Sequence, residues 1–267
     1  MADTPPSSQQ TTPNIGNNFN NSQHWGFWGT MGFGLLVFIV FGILQSVILI
    51  GYGLIKEGID LKGGTLDESE LKTIIEKFAY DGDLISLAEI PSAIIGVGLI
   101  LLFASMKKPF PVSDYLQLRM PESPTKTILK WIGVMLLVFV AMESMNVFLE
   151  RETPEFMSKV YSSTDNKLML WIAVGVAAPF FEEFLFRGFL LEGLRYTRIG
   201  VVGAILFTSA SWAIIHMQYG WFEIISIFFI GIILAIAQLK TKSLYVPIAM
   251  HMFMNLTASV MMEIAPQ

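Results

Sequence analysis

Apolar runs about one membrane thickness long recur along this chain, separated by polar segments. They cover residues 31–55, 84–106, 131–149, 168–195, 201–217, 221–239 and 244–262. The hydrocarbon core of a bilayer is about 30 Å thick and takes about 20 residues of helix to cross. A backbone in hydrocarbon must satisfy its own hydrogen bonds, and without β-periodicity that means helices. The expected fold is therefore all-α, a polytopic transmembrane helix bundle with about seven spans. The length is compatible with six to eight.

Composition agrees. Of 267 residues, 53% are hydrophobic and 15% charged, against roughly 25% charged in a soluble domain. There is no cysteine, which removes disulfides, thiolate nucleophiles and cysteine metal sites and leaves any metal to His, Asp or Glu. A net charge of −5 argues against a nucleic-acid partner. Residues 1–28 read as a disordered polar tail, without the basic start of a secretory signal. Residues 29–267 form the membrane domain. Between the first two runs, Leu71, Ile74, Ile75 and Phe78 fall at helical spacing and predict an amphipathic surface helix. Gly51, Gly53, Gly96 and Gly98 suit close helix packing. With the N-terminus inside, the inner loops hold nine Lys or Arg and the outer loops seven, so the positive-inside rule favours a cytoplasmic N-terminus.

The runs are not wholly apolar. The fourth carries Glu182, Glu183 and Arg187, each costing roughly 2.5–3.5 kcal/mol near mid-membrane on insertion scales. Glu183 and Arg187 are four apart and can pair on one face. Glu182 is turned by about 100° and needs another partner. The midpoint of positions 182 and 216 is 199, inside the polar turn after the fourth run. In an antiparallel hairpin that places Glu182 level with His216, as a facing pair. His251 and Asn255 share a face of the last run and are expected to reach one point on a neighbouring helix. Glu143 in the third run is ambiguous between facing such a site and pairing structurally.

Glu182-Glu183-x-x-x-Arg187, then Trp212-x-x-x-His216, then His251-x-x-x-Asn255 resemble the three motifs of the CPBP family. That family includes the type II CAAX prenyl endopeptidases and bacterial bacteriocin-processing or self-immunity (Abi) proteins. The resemblance spans about residues 168–262, in order and spacing, with Trp212 where the family usually has Phe. Chemistry and resemblance point the same way. A buried glutamate can act as general base toward water, and His or Asn can donate to an oxyanion. The expectation is an intramembrane endopeptidase with Glu182, His216, His251 and Asn255 catalytic, and Glu183, Arg187 and Trp212 supporting. No cofactor is required in this reading. Zinc held by Glu182, His216 and His251 is the alternative, but it would deny Glu182 the role of base. The expected partners are a membrane-associated or lipid-modified peptide or protein substrate and the membrane lipid. The expected location is a prokaryotic inner membrane. Two rivals remain: a proton-coupled transporter, since Glu and His also build proton relays, and a non-catalytic peptide-binding immunity protein.

Overall fold

The computed structural model describes residues 24–56, 58 and 67–264. These residues form helices and connecting turns, with no strand among them: α1 (Phe27–Lys56), α2 (Glu68–Ala79), α3 (Gly82–Ser105), α4 (Val112–Tyr115), α5 (Pro124–Phe148), α6 (Glu155–Ser163), α7 (Lys167–Leu194), α8 (Gly200–Ile214), α9 (Trp221–Thr241) and α10 (Tyr245–Ile264). Every apolar run falls on a helix. Five of them, α1, α3, α5, α7 and α9, are long and apolar enough to cross a membrane, and α8 is a shorter apolar helix. The chain is an all-helical, multi-pass membrane protein.

Local chemistry sets several helix starts. Asp67 caps α2 and accepts from the Glu70 amide, while the Glu70 carboxylate accepts from the Asp67 amide, a reciprocal capping box. This is the surface helix expected from periodicity, and its Phe78 is buried against Gly53. Asp81 caps α3 through the amides of Asp83 and Leu84, at 3.1 and 3.0 Å.

The helices present leucine, isoleucine and valine outward. In α5, Leu137, Val140, Val147 and Phe148 are all more than half exposed. A helix apolar on its outer face is stable only where that face meets lipid or protein. The inner layer centres on α7, whose residues 183–194 are buried without a break. Phe181 stacks on Phe41 of α1 at 4.0 Å, nearly parallel. Close approach depends on small residues, as in other membrane bundles. A Cβ on Gly96 of α3 would lie 2.5 Å from the Phe181 ring, and one on Gly34 of α1 would lie 2.5 Å from Leu190. Of the four glycines expected at packing contacts, Gly53 and Gly96 are in them. Gly51 and Gly98 face open space.

The polar tail expected over residues 1–28 lies, for residues 1–23, outside the described residues. His24 is buried, with ring centroids 4.6 Å from Tyr115 and Tyr196 and 5.2 Å from Phe110. Its Nε2 is 3.9 Å from the Glu192 carboxylate. Nothing in the local sequence signals this, since the partners come from α4 and the end of α7. Burial, with help from the Arg195 and Lys107 charges, lowers the His24 pKa to about 4.

Two outcomes are expected. Gly96→Val should lower detergent-solubilised stability by about 1–3 kcal/mol through overpacking against Phe181, whereas Gly98→Val should leave it nearly unchanged. Equal effects in thermal unfolding would refute this packing assignment. The second concerns pH. A histidine whose folded pKa lies below its unfolded value near 6.5 binds protons preferentially when unfolded. Stability should be full above about pH 6.5 and decline as pH falls toward 4, by an amount on the order of 3 kcal/mol. His24→Phe should flatten this part of the pH–stability curve.

Candidate active site

The site is built around one side chain, Glu183 of α7, which is fully buried. Its Oε1 accepts from Arg187 Nη1 at 2.8 Å, one helical turn on, and from His251 Nδ1 of α10 at 2.9 Å. The Arg187–Glu183 pair is the one expected from i, i+4 spacing. The bond to His251 was not expected, because sequence does not show how α10 rotates against α7. A carboxylate only accepts, so Nδ1 of His251 carries the proton and Nε2 is turned the other way. That nitrogen lies 4.0 Å from Glu182 Oε2. Arg187 also donates to the Gly231 carbonyl of α9 at 3.3 Å and lies over the Trp212 ring at 4.5 Å. The buried charge is thus paired, through Glu183 Oε1 and the two terminal nitrogens of Arg187, while Glu183 Oε2 and Arg187 Nε have no partner among the described residues.

Glu182 has a different environment. Its side chain is 15% exposed, against 0% for Glu183. Its Oε2 accepts from the Trp212 indole Nε1 of α8. The expected facing pair of Glu182 and His216 is therefore corrected. No hydrogen bond or ion pair joins them among the described residues, and Trp212 stands between. His216 Nδ1 donates to the backbone carbonyl of Trp212 at 2.8 Å, leaving Nε2 free, and its ring packs edge-on to the indole at 5.4 Å. The depth argument brought the two to one region. It could not tell that a residue one turn earlier on the same helix would intervene. Trp212, expected only as a support, makes the direct contact.

Asn255 is also corrected. Its amide donates to the Val174 carbonyl at 2.8 Å, whereas His251 reaches Glu183. The two side chains meet α7 at different turns, because residues four apart on α10 are themselves a turn apart along it. The reason for the Val174 contact lies in α7. Residues Ala173–Ala177 form a π-helical turn, in which the Ala178 amide bonds to the Ala173 carbonyl. The next residue is Pro179, which has no N–H to give to Val174. Asn255 supplies the missing donor. A second π segment, Phe184–Leu191, follows the carboxylates, so Glu182 and Glu183 occupy a short α-helical stretch between two wide turns. Such insertions concentrate at functional sites.

Beside these residues lies a cavity of about 420 Å³, lined by Trp212, His216, His251 and Asn255 from the motifs and by Glu143 of α5. Tyr219, in the turn after α8, also lines it. Burial, with the Glu182 and Glu223 charges adding, pushes its hydroxyl up to about 12, so it remains a hydrogen-bond donor at neutral pH. Glu182, His216 and His251 were the alternative metal set. Among the described residues, no three His, Asp or Glu side chains come together to hold an ion. His251 bonds Glu183 and His216 a backbone carbonyl, both through Nδ1, which leaves Nε2 of each ring available. Two further buried carboxylates were not expected: Glu89 of α3, bonded by Gln45 of α1, and Glu192 of α7, bonded by Gln238 of α9. The signal of each was a charged residue inside an apolar run.

These features define a helical membrane protein with a polar site set into its core. Residues 164–257, which hold all three motifs, match the family model of type II CAAX prenyl endopeptidase Rce1-like proteins. The chain is 34% identical over 87 residues to a protein named membrane-embedded CAAX protease MroQ from Staphylococcus aureus (strain USA300), covering 31% of this chain and 34% of that one. It is 28% identical over 126 residues to an uncharacterized 24.3 kDa protein of Escherichia coli, covering 45% of this chain and 58% of the other. The chain therefore spans between a third and three-fifths of the curated relatives it matches. No solved structure matches it.

The Val174–Asn255 bond gives a stability prediction independent of activity. Asn255→Ala should cost about 1 kcal/mol by leaving a partly buried carbonyl unpaired. Pro179→Ala, which restores a backbone N–H, should recover part of that loss in the double variant. Additive losses in a double-mutant cycle would refute the compensation.

Proposed function

We propose that this protein is a membrane-embedded endopeptidase that hydrolyses a peptide bond of a membrane-associated or lipid-modified substrate. The observation that carries this reading is the asymmetry of the adjacent carboxylates. Glu183 is sealed and bonded to Arg187 and His251, while Glu182 keeps partial access and one oxygen outside the Trp212 bond. In this reading Glu182 takes the proton of a water, and the resulting hydroxide adds to the scissile carbonyl. Trp212 holds the glutamate in position. The negative charge that forms on the carbonyl oxygen is met by the second amide N–H of Asn255, and by His251 once its Nε2 holds the proton relayed from Glu182. Collapse breaks the C–N bond, and the leaving amine takes its proton through Glu182 or His216 Nε2. Glu183 fixes the tautomer and orientation of His251, as a carboxylate does for a working imidazole.

In this reading glutamate rather than a metal activates the water, since Glu182, His216 and His251 are not gathered into a ligand set among the described residues. The bacterial relatives support a prokaryotic cell membrane as the location. The loop charges support a cytoplasmic N-terminus.

The test is cleavage of a peptide library by the purified full chain in detergent, with metal content measured on the same samples. Glu182→Ala should reduce turnover by at least about a hundredfold, as expected for loss of a general base. Trp212→Phe, which removes a single positioning hydrogen bond, should cost about tenfold. Cleavage undiminished in Glu182→Ala overturns the assignment. Stoichiometric zinc lost together with activity would replace the metal-free mechanism.

A further inference from the structure

Glu143 has no role in the chemistry above, yet it opens into the same cavity. Helix α5 turns two different faces outward and inward. Leu137, Val140, Val147 and Phe148 point away from the protein. Phe139, Met142, Glu143 and Asn146, at i, i+3, i+4 and i+7, line the cavity, which is one continuous helical stripe. The same cavity is lined by His251 and Asn255 of α10, against which α5 packs, and by His216. Glu143 thus shares a cavity with three of the four residues assigned to the chemistry.

Its carboxylate has no ion-pair partner among the described residues, and its one neighbouring contact there is a long hydrogen bond from Asn146 Nδ2, at 3.5 Å. The cavity's arginine, Arg151, is taken: it pairs with Glu223 and lies over the Phe222 ring at 4.2 Å. Ionisable groups inside a spanning helix are expensive, and where one faces a cavity without a counter-ion its partner is expected to come from outside the chain.

We propose that Glu143 is a specificity-determining residue that selects peptides carrying an ammonium or guanidinium group close to the scissile bond. This deepens the protease reading and rests on it for the position of the scissile bond. The cationic group could be a Lys or Arg side chain or the peptide's own amino terminus. The chemistry is the same, and the experiment separates the two sources.

The experiment uses the full-length protein in detergent and matched peptide pairs in which one lysine, moved along the sequence, is exchanged for norleucine. Each peptide is made with a free and an acetylated amino terminus. Cleavage is measured with wild type, Glu143→Gln and Glu143→Lys. Binding of the same pairs is measured on Glu182→Ala. Wild type should favour the cationic member about five- to tenfold, mainly in KM, as expected for a pair between an exposed and a buried one. Glu143→Gln should treat both members alike, and Glu143→Lys should favour peptides with glutamate at that position. Dependence on lysine at one position, or on the free amino terminus, identifies the source. A preference that persists in Glu143→Gln overturns the proposal, as does a wild type that discriminates in neither cleavage nor binding. The protease reading fails separately, if Glu182→Ala still cleaves or if no peptide is cut. In the latter case, the pairwise binding ratio on Glu182→Ala against the Glu182→Ala/Glu143→Gln double variant still decides the role of Glu143.

Discussion

The Glu183 carboxylate is the constraint on which the centre of the molecule depends. It is fully buried in a low-dielectric bundle, and an unpaired charge there would cost several kcal/mol. Arg187 and His251 both bond its Oε1. Arg187 is in turn fixed by a carbonyl of α9 and by the Trp212 ring of α8. Four helices, α7, α8, α9 and α10, are therefore held in mutual register by one ion-pair cluster. Truncating one member would leave the others buried without compensation, so the cluster specifies one arrangement of these helices as much as it stabilises it.

The backbone of α7 is shaped to the same end. Pro179 takes away a donor, a π turn precedes it, and Asn255 answers the orphaned Val174 carbonyl from the neighbouring helix. In lipid there is no water to take that place. Asn255, expected from the sequence to act in catalysis, thus has a plain structural duty, and a catalytic one remains open to it. Both duties can coexist, because a side-chain amide carries two N–H groups.

Polar and apolar requirements are divided by helix face. The outer faces of α1 and α5 are aliphatic and belong to lipid, while the inner faces approach through Gly34, Gly53 and Gly96. On α5 the division is sharpest: Glu143 sits on the cavity stripe, with exposed valines and leucines only a few residues away. A cavity with a few polar side chains can exist inside such a bundle because α5 turns Glu143 inward and its aliphatic residues outward.

The sequence by itself determined the helical membrane class, the positions of the apolar helices and the Glu183–Arg187 pair. Each follows from hydrophobic length or from i, i+4 spacing, which are local quantities. It also placed the motif residues in one region. What it could not determine was which of them touch. Helix rotation decided that His251 bonds Glu183, that Trp212 stands between Glu182 and His216, and that Asn255 meets Val174. Burial decided that Glu182 has access and Glu183 has none, although the two are neighbours in the chain and identical in chemistry. Those outcomes depend on the packing of one helix against another, and no spacing along a single chain encodes the angle at which its helices meet.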